Sequence, residues 1–330
     1  MTDILLLLAG FVMLLVGGDV LVRGAVRLSE LLGLSPLLVG LVIVGLGTSL
    51  PELATSVQAA MRGSPGIALG NIVGSNMANA LLVLGAVALI RPIEVERNIL
   101  WRDGGVGLLC TVILFAAAMT LGLDRLFGHL LIAVLAIYLW RAYRMESGVG
   151  ELAADHGAAY DRALAAEDLD PALIPSDEPS VTYAKAVALL VAGLAIVVGG
   201  GVVLVDAAIA IATDYGISES VIGLTIVAFG TSAPELATSV IAAIRGKSDI
   251  ALGNVLGSNI YNIALIGGLT GLAAPGPVPE KILLLDLPLL LAATIALLVF
   301  AYSGMRLNRW EGTALVAGYG GYILWTAALV

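Results

Sequence analysis

Glu52 and Glu235 each end the same hydroxyl-rich run, Gly-Thr-Ser-x-Pro-Glu, and each is followed at a constant distance by Gly-Asn-x-x-Gly-Ser-Asn. Carboxylate, hydroxyl, carboxamide and backbone carbonyl oxygens are the donor set of a hard cation such as Ca2+ or Na+. Zinc, copper and iron are disfavoured, because no histidine or thiol cluster accompanies these oxygens. His129, His156 and the single cysteine, Cys110, all fall outside both runs, and Cys110 reads as a packing residue.

The elements that must position these groups come as a duplicate. Residues 47–79, GTSLPELATSVQAAMRGSPGIALGNIVGSNMAN, and residues 230–262, GTSAPELATSVIAAIRGKSDIALGNVLGSNIYN, align at a constant offset of 183 residues without a gap and are identical at 23 of 33 positions. Such a match is an internal duplication. The chain around it is 59% hydrophobic and 12% charged, with a mean hydropathy of +1.03, a composition whose solvent is mostly lipid. The fold class is therefore all-α, a polytopic membrane protein.

At about 20 residues per crossing, spans are expected at 4–30, 36–61, 66–90, 99–120, 126–145, 181–212, 219–244, 249–273, 281–303 and 309–329. Five spans per half force the second half to enter from the opposite side, so residues 1–145 and 181–330 are expected to be inverted five-helix repeats. Between them, residues 146–180 carry nine of the 25 acids and read as a flexible linker; the alternative for it is a regulatory cation site. The formal charge of −9 thus belongs to a loop, and no nucleic-acid partner is expected.

Orientation follows from the basic residues. With both termini outside, Arg23, Arg27, Arg91, Arg97, Arg102, Arg141, Arg144, Arg162, Lys185, Arg245, Lys247, Arg306 and Arg309 are cytoplasmic, and only Arg62, Arg125 and Lys281 are outside. The 146–180 linker is then cytoplasmic, and the expected location is the cell (inner or plasma) membrane. Asp19, four residues before Arg23, reads as half of a helix-face ion pair, and Asp206 as an interhelical or interfacial carboxylate.

Pro51 has no N–H to give the carbonyl of Gly47, and Pro234 likewise releases Gly230, so each half should contain a broken second helix. Carbonyls freed at membrane depth must face protein or a water-filled cavity. An ionised carboxylate at the bilayer centre costs about 2.5 to 3.5 kcal/mol on insertion scales, and two of them repel; a divalent cation offsets both terms. On the following helix Asn71, Ser75 and Asn79, and equivalently Asn254, Ser258 and Asn262, share one face. Gly70 with Gly74, and Gly253 with Gly257, read as close-packing pairs. For Asn71, Asn76, Asn254 and Asn259, interhelical hydrogen bonding and direct ligation both stay open.

GTSLPELATS with GNIVGSNMAN, and GTSAPELATS with GNVLGSNIYN, resemble the paired alpha repeats of the sodium/calcium exchanger family, within the cation/calcium antiporter superfamily. The ten-helix layout extends the resemblance, which is to the bacterial and archaeal type, over nearly the whole chain. It implies that Glu52 and Glu235 form a central site, with Thr48 and Thr231 joining them around Ca2+. It further implies that Ser49, Ser75, Ser232 and Ser258, with the carbonyls of Gly45 and Ala228, line flanking sodium sites, and that Asn79 and Asn262 complete the centre. Well-studied sodium-coupled members often carry Asp where this chain has Asn262. Two carboxylates instead of three keep a Ca2+/H+ antiporter as the alternative to Ca2+/Na+ exchange.

The expected function is secondary antiport of Ca2+ against Na+ by a monomer in the lipid bilayer, without a cofactor and without enzymatic chemistry. The long first helix of each half slides past two core hairpins to expose the midplane site to either face. An ATP-driven pump is disfavoured, since no phosphate-binding Gly-rich loop is present. A channel built on the same ligands and an intramembrane hydrolase using the paired carboxylates are the competing classes.

Overall fold

The computed structural model describes residues 2–120, 122–153, 182–215 and 228–328. Twelve helical elements carry the fold among these residues. They are α1 (Thr2–Leu32), α2 (Pro36–Thr48), α3 (Leu50–Met61), α4 (Gly66–Ile90), α5 (Arg97–Thr120), α6 (Arg125–Ala153), α7 (Tyr183–Asp214), α8 (Ala228–Thr231), α9 (Ala233–Ile244), α10 (Ser248–Ala273), α11 (Ile282–Tyr302) and α12 (Arg309–Ala328). Seven of them are long and apolar enough to cross a membrane, and the bent pair α2 and α3 makes an eighth candidate. The apolar runs become helices because lipid offers backbone groups no hydrogen bonds and only a helix satisfies them within one segment.

Eight of the expected spans coincide with these candidates, with small shifts; the one expected at 309–329 is a helix, α12, that is not among the candidates. The fifth continues to Ala153, eight residues into the segment read as a linker, and the rest of that segment and its proposed cation site lie outside the described residues. Also outside them is the start of the span expected at 219–244. One departure from an all-α chain is a two-residue antiparallel pair, β1 (Ile93–Glu94) with β2 (Arg306–Leu307), in the register Ile93 to Leu307. It ties the α4–α5 connection to the α11–α12 connection, and it arises because these short connectors must pair backbone groups that no helix satisfies.

Burial sorts the helices into layers. In their most apolar stretches α4 and α10 are 78% and 83% buried, against 28% for both α1 and α7. The motif helices therefore form the centre, while α1 and α7 lie along it with a face toward the surroundings. Contacts at the ends fix how the centre is held. A Cβ on Gly66, at the start of α4, would stand 2.8 Å from Pro279 Cγ, and one on Gly246, just after α9, would stand 2.6 Å from Arg91 Nη1, just after α4.

The two long helices meet backbone to backbone. A Cβ on Gly24 of α1 would lie 2.5 Å from the Leu190 nitrogen, and one on Gly193 of α7 would lie 2.3 Å from the Leu21 nitrogen. Only glycine permits this approach, which replaces the missing hydrophobic driving force between lipid-embedded helices with dispersion contact. In α10, Gly253 and Gly257 sit equally tightly against the carbonyls of Leu37 and Leu41, each 2.3 Å from where a Cβ would be, so these two glycines pack helices as expected.

Gly193→Ala is expected to destabilise the protein by about 1–3 kcal/mol, the range for overpacking a close-packed contact. Gly320→Ala, at an exposed position with open space around the added methyl, should not. Thermal unfolding of both variants in detergent checks the pair.

Candidate cation site

The predicted helix break is present in both halves with nearly the same backbone. α2 ends at Thr48 and α3 starts at Leu50 with a bend of 43°, and the residue between them, Ser49, has φ −82° and ψ 2°. Ser232, between α8 and α9, has φ −86° and ψ 3°. Pro51 and Pro234 stand at the starts of the new helices, where a missing N–H is tolerated. The break turns Thr48, Ser49, Glu52 and their counterparts into the interior.

There the groups are cut off from solvent, except Thr231, which is only half-buried. Glu52, Glu235, Thr48, Asn79, Asn254, Ser258 and Asn262 are fully buried, and Ser49, Ser75 and Ser232 nearly so. The two carboxylates lie within electrostatic reach of one another. Among the described residues no hydrogen bond reaches either carboxylate oxygen of Glu52, nor Glu235 Oε2, nor either polar side-chain atom of Asn79, nor Asn262 Oδ1, nor Ser232 Oγ. None of the ion pairs among the described residues involves either glutamate. No group of three or more His, Cys, Asp or Glu side chains is present among them, so the oxygen set is hard and neutral apart from the two glutamates.

Each carboxylate is faced by at least one hydroxyl of the other half. Ser49 Oγ donates to Glu235 Oε1 at 3.5 Å, with the Thr48 and Ser258 hydroxyls standing beside it. Thr231 stands beside Glu52. Ser258 Oγ donates to the Gly45 carbonyl at 3.2 Å, bringing that carbonyl to the same place. Ala228 opens the short helix α8, its backbone in the position equivalent to Gly45. Asn79 and Asn262 lie in π-helical turns, Ala78–Val83 and Tyr261–Gly267. The wider turn interrupts the regular ladder of hydrogen bonds, as is frequent at functional sites. Asn262 Nδ2 donates to Ser75 Oγ at 3.0 Å, across the halves.

Asn71 and Asn254 brace the site. Asn254 Nδ2 donates to Ser239 Oγ at 2.9 Å and to the Glu235 carbonyl at 3.5 Å, and its Oδ1 accepts from Thr48 at 3.0 Å. Asn71 repeats this with Ser56 at 2.9 Å, the Glu52 carbonyl at 3.3 Å and Thr231 at 3.4 Å. Of the two readings left open for these residues, hydrogen bonding describes the geometry. Ser56 and Ser239 were not singled out from the sequence, although each lies one helical turn after its glutamate and so on the same face. Asn76 and Asn259 are not joined to this network. Together with Thr111 and Thr294 they line a separate cavity of about 20 Å³.

The duplication, the break and the buried carboxylate pair can now be set against known proteins. The sequence profile of the family described as sodium/calcium exchanger protein matches residues 2–144 and 185–328. The chain belongs to the sodium/calcium exchanger family. Members of this family transport Na+ and Ca2+ and are transporters, not enzymes. Similar relatives include the sodium/calcium exchanger MaX1 of Methanosarcina acetivorans, 35% identical over 98% of this chain and 97% of the relative. Another is the putative antiporter CaxA of Alkalimonas amylolytica, 37% identical over 96% and 95%. Among solved structures, the sodium-calcium exchanger NCX_Mj soaked with 100 mM Na+ and 10 mM Sr2+ superposes with a TM-score of 0.81 at 31% identity, covering 98% of this chain and 97% of that one. As a family member with these apolar helices, the chain is a multi-pass membrane protein.

Asn254→Leu removes the partners of Thr48, Ser239 and the Glu235 carbonyl together, and is expected to cost about 1–3 kcal/mol for each polar group left buried and unpaired. Asn259→Leu, whose Oδ1 has no hydrogen-bond partner among the described residues, should cost less. Melting of the two variants side by side tests the bracing role.

Proposed function

We propose that this protein is a secondary antiporter that exchanges Ca2+ for Na+ by alternating access to a site formed by Glu52 and Glu235. The observation that carries this reading is the carboxylate pair itself, fully buried, drawn from equivalent positions of a duplication, and without a basic partner among the described residues. An uncompensated buried charge is costly, and two together more so. One Ca2+ neutralises both. Several Na+ spread over adjacent sites do the same, so the two cations compete for one charge deficit. The empty, ionised site resists occlusion, which suppresses leak.

Thr48 and Thr231 complete the Ca2+ position with Asn79 and Asn262. Ser49, Ser75, Ser232 and Ser258, with the carbonyls of Gly45 and Ala228, provide the flanking Na+ positions. The burial of the four serines beside the glutamates supports this assignment. Asn in place of a third carboxylate at 262 lowers the site's charge without removing its oxygen. Sodium is preferred to protons as the coupling ion because MaX1 and NCX_Mj bear the name of sodium/calcium exchangers.

Ten spans arranged as two inverted repeats, residues 1–145 and 181–330 joined by the 146–180 linker, give this site its access to both faces. The contacts of α4 support the inversion: its start, beside the first motif's hairpin tip, lies against Pro279, whereas its end reaches Gly246 at the second motif's tip. The two tips are thus a membrane span apart. The distribution of arginine and lysine orients the protein with both termini outside and the linker in the cytoplasm. The backbone-close packing of α1 on α7 makes them one sliding body, and a single monomer contains every part of the cycle.

Glu52→Gln or Glu235→Gln is expected to reduce Na+-driven 45Ca2+ uptake into proteoliposomes to background while the protein still folds; near-parental uptake by either variant refutes the site. Loss of uptake in the parent when a proton gradient replaces the sodium gradient is part of the same expectation. Cysteines introduced at the equivalent positions Ser64 and Lys247 should react with an impermeant thiol reagent from opposite sides, outside for 64 and inside for 247. Labelling of both from one side refutes the inversion.

A further inference from the structure

The two halves repeat one another closely at the site, yet differ along one face of the helices that carry the glutamates. On α9 that face is covered by α1. A Cβ on Gly18 would lie 3.4 Å from Ile241 Cγ1 and 3.5 Å from the Ala237 carbonyl oxygen, and one turn along, Asp19 pairs with Arg245 at the end of α9. Asp19 also pairs with Arg23 of its own helix, at 2.6 Å. The residues of α3 equivalent to Ala237, Ile241 and Arg245 are Ala54, Gln58 and Arg62. These three line an open crevice of about 650 Å³, and no ion pair among the described residues reaches Arg62. In α7, the residue equivalent to Asp19 is Val202, which is 52% exposed.

We propose that the Asp19–Arg245 pair is a latch that holds one end of the transporter closed, and that the other half, with Val202 at the position equivalent to Asp19, has no counterpart to it. The proposal rests on the alternating-access reading above and identifies positioning residues within it. The structure is the state in which α1 covers α9 at the Arg245 end and α3 is uncovered at the Arg62 end. In the opposite state α1 leaves α9, so the pair must break, while closure over α3 restores no equivalent bond. The ion pair therefore exists in one state only, and an interaction made in one state only sets the ratio of the two.

The pair bridges separate elements at a partly exposed position, its side chains 23% and 40% exposed. Its removal is expected to shift the ratio by about two- to fivefold, the effect of an exposed ion pair. Arg23, on α1 with Asp19, moves with it and stabilises the carboxylate in both states. It does not favour either.

The test uses the full-length protein with Cys110→Ser and one reporter cysteine at a time, Ile241→Cys under α1 or the equivalent Gln58→Cys in the crevice. Labelling rates with a small water-soluble thiol reagent are measured in detergent across Na+ and Ca2+ concentrations. Asp19→Asn and Arg245→Gln should each speed labelling at 241 and slow it at 58, by about two- to fivefold in both directions. Exchanging the charges, Asp19→Arg with Arg245→Asp in an Arg23→Gln background, should return both rates toward those of Arg23→Gln alone. Faster labelling at 241 without slower labelling at 58 means local loosening and overturns the latch, as does no change at either position. Should Asp19→Asn fail to fold, Arg245→Gln at the helix end carries the same comparison. A parent whose two positions never change in opposite directions with the ions breaks the alternating-access reading itself. Opposite changes in the parent that neither single variant alters break only the latch.

Discussion

Two carboxylates held out of water, with no basic partner among the described residues, dominate this structure. A buried anion is tolerated when something nearby compensates it, and here the compensation consists of neutral oxygens, helix breaks and, by our reading, the transported ion. Several unusual local features surround that deficit. The helix breaks at Ser49 and Ser232, each followed by a proline, lie beside the glutamates, and the π turns at Asn79 and Asn262 interrupt the neighbouring helices. Cooperative hydrogen-bond ladders are given up at these points, which a membrane protein tolerates where the backbone lines a protected interior.

The braces are as symmetric as the ligands. Asn71 and Asn254 each tie a glutamate's carbonyl, a serine one turn away and a threonine of the opposite half into one network. Such a network fixes the site's shape and leaves its charge to be set by whatever cation enters. Shape and charge are therefore assigned to different side chains, so competing ions meet the same walls.

Outside the centre the symmetry is incomplete, and the incompleteness has a physical use. An exactly two-fold arrangement would close both ends or open both ends at once. Here α1 lies on α9, whereas the matching face of α3 is open. The glycine contact between α1 and α7 is too tight to slip locally, so the two helices respond to any displacement together. By our reading, a small shift of that pair relative to the motif helices exchanges which face is covered.

From the sequence alone came the duplication, the helix breaks, the hard-cation chemistry and the family resemblance, because each rests on residue type and on spacing along the chain. A proline removes its hydrogen bond wherever it is placed, and a glutamate in an apolar run demands compensation whatever surrounds it. The tertiary structure decided which polar groups meet. Asn71 and Asn76 are five residues apart in one motif, yet one braces the carboxylates and the other faces a separate cavity, since their directions depend on which helix packs on which side. Likewise Asp19 read as the partner of Arg23, four residues away. Its second partner, Arg245, is in the other half, and no local spacing brings it there; only the packing of α1 against α9 does.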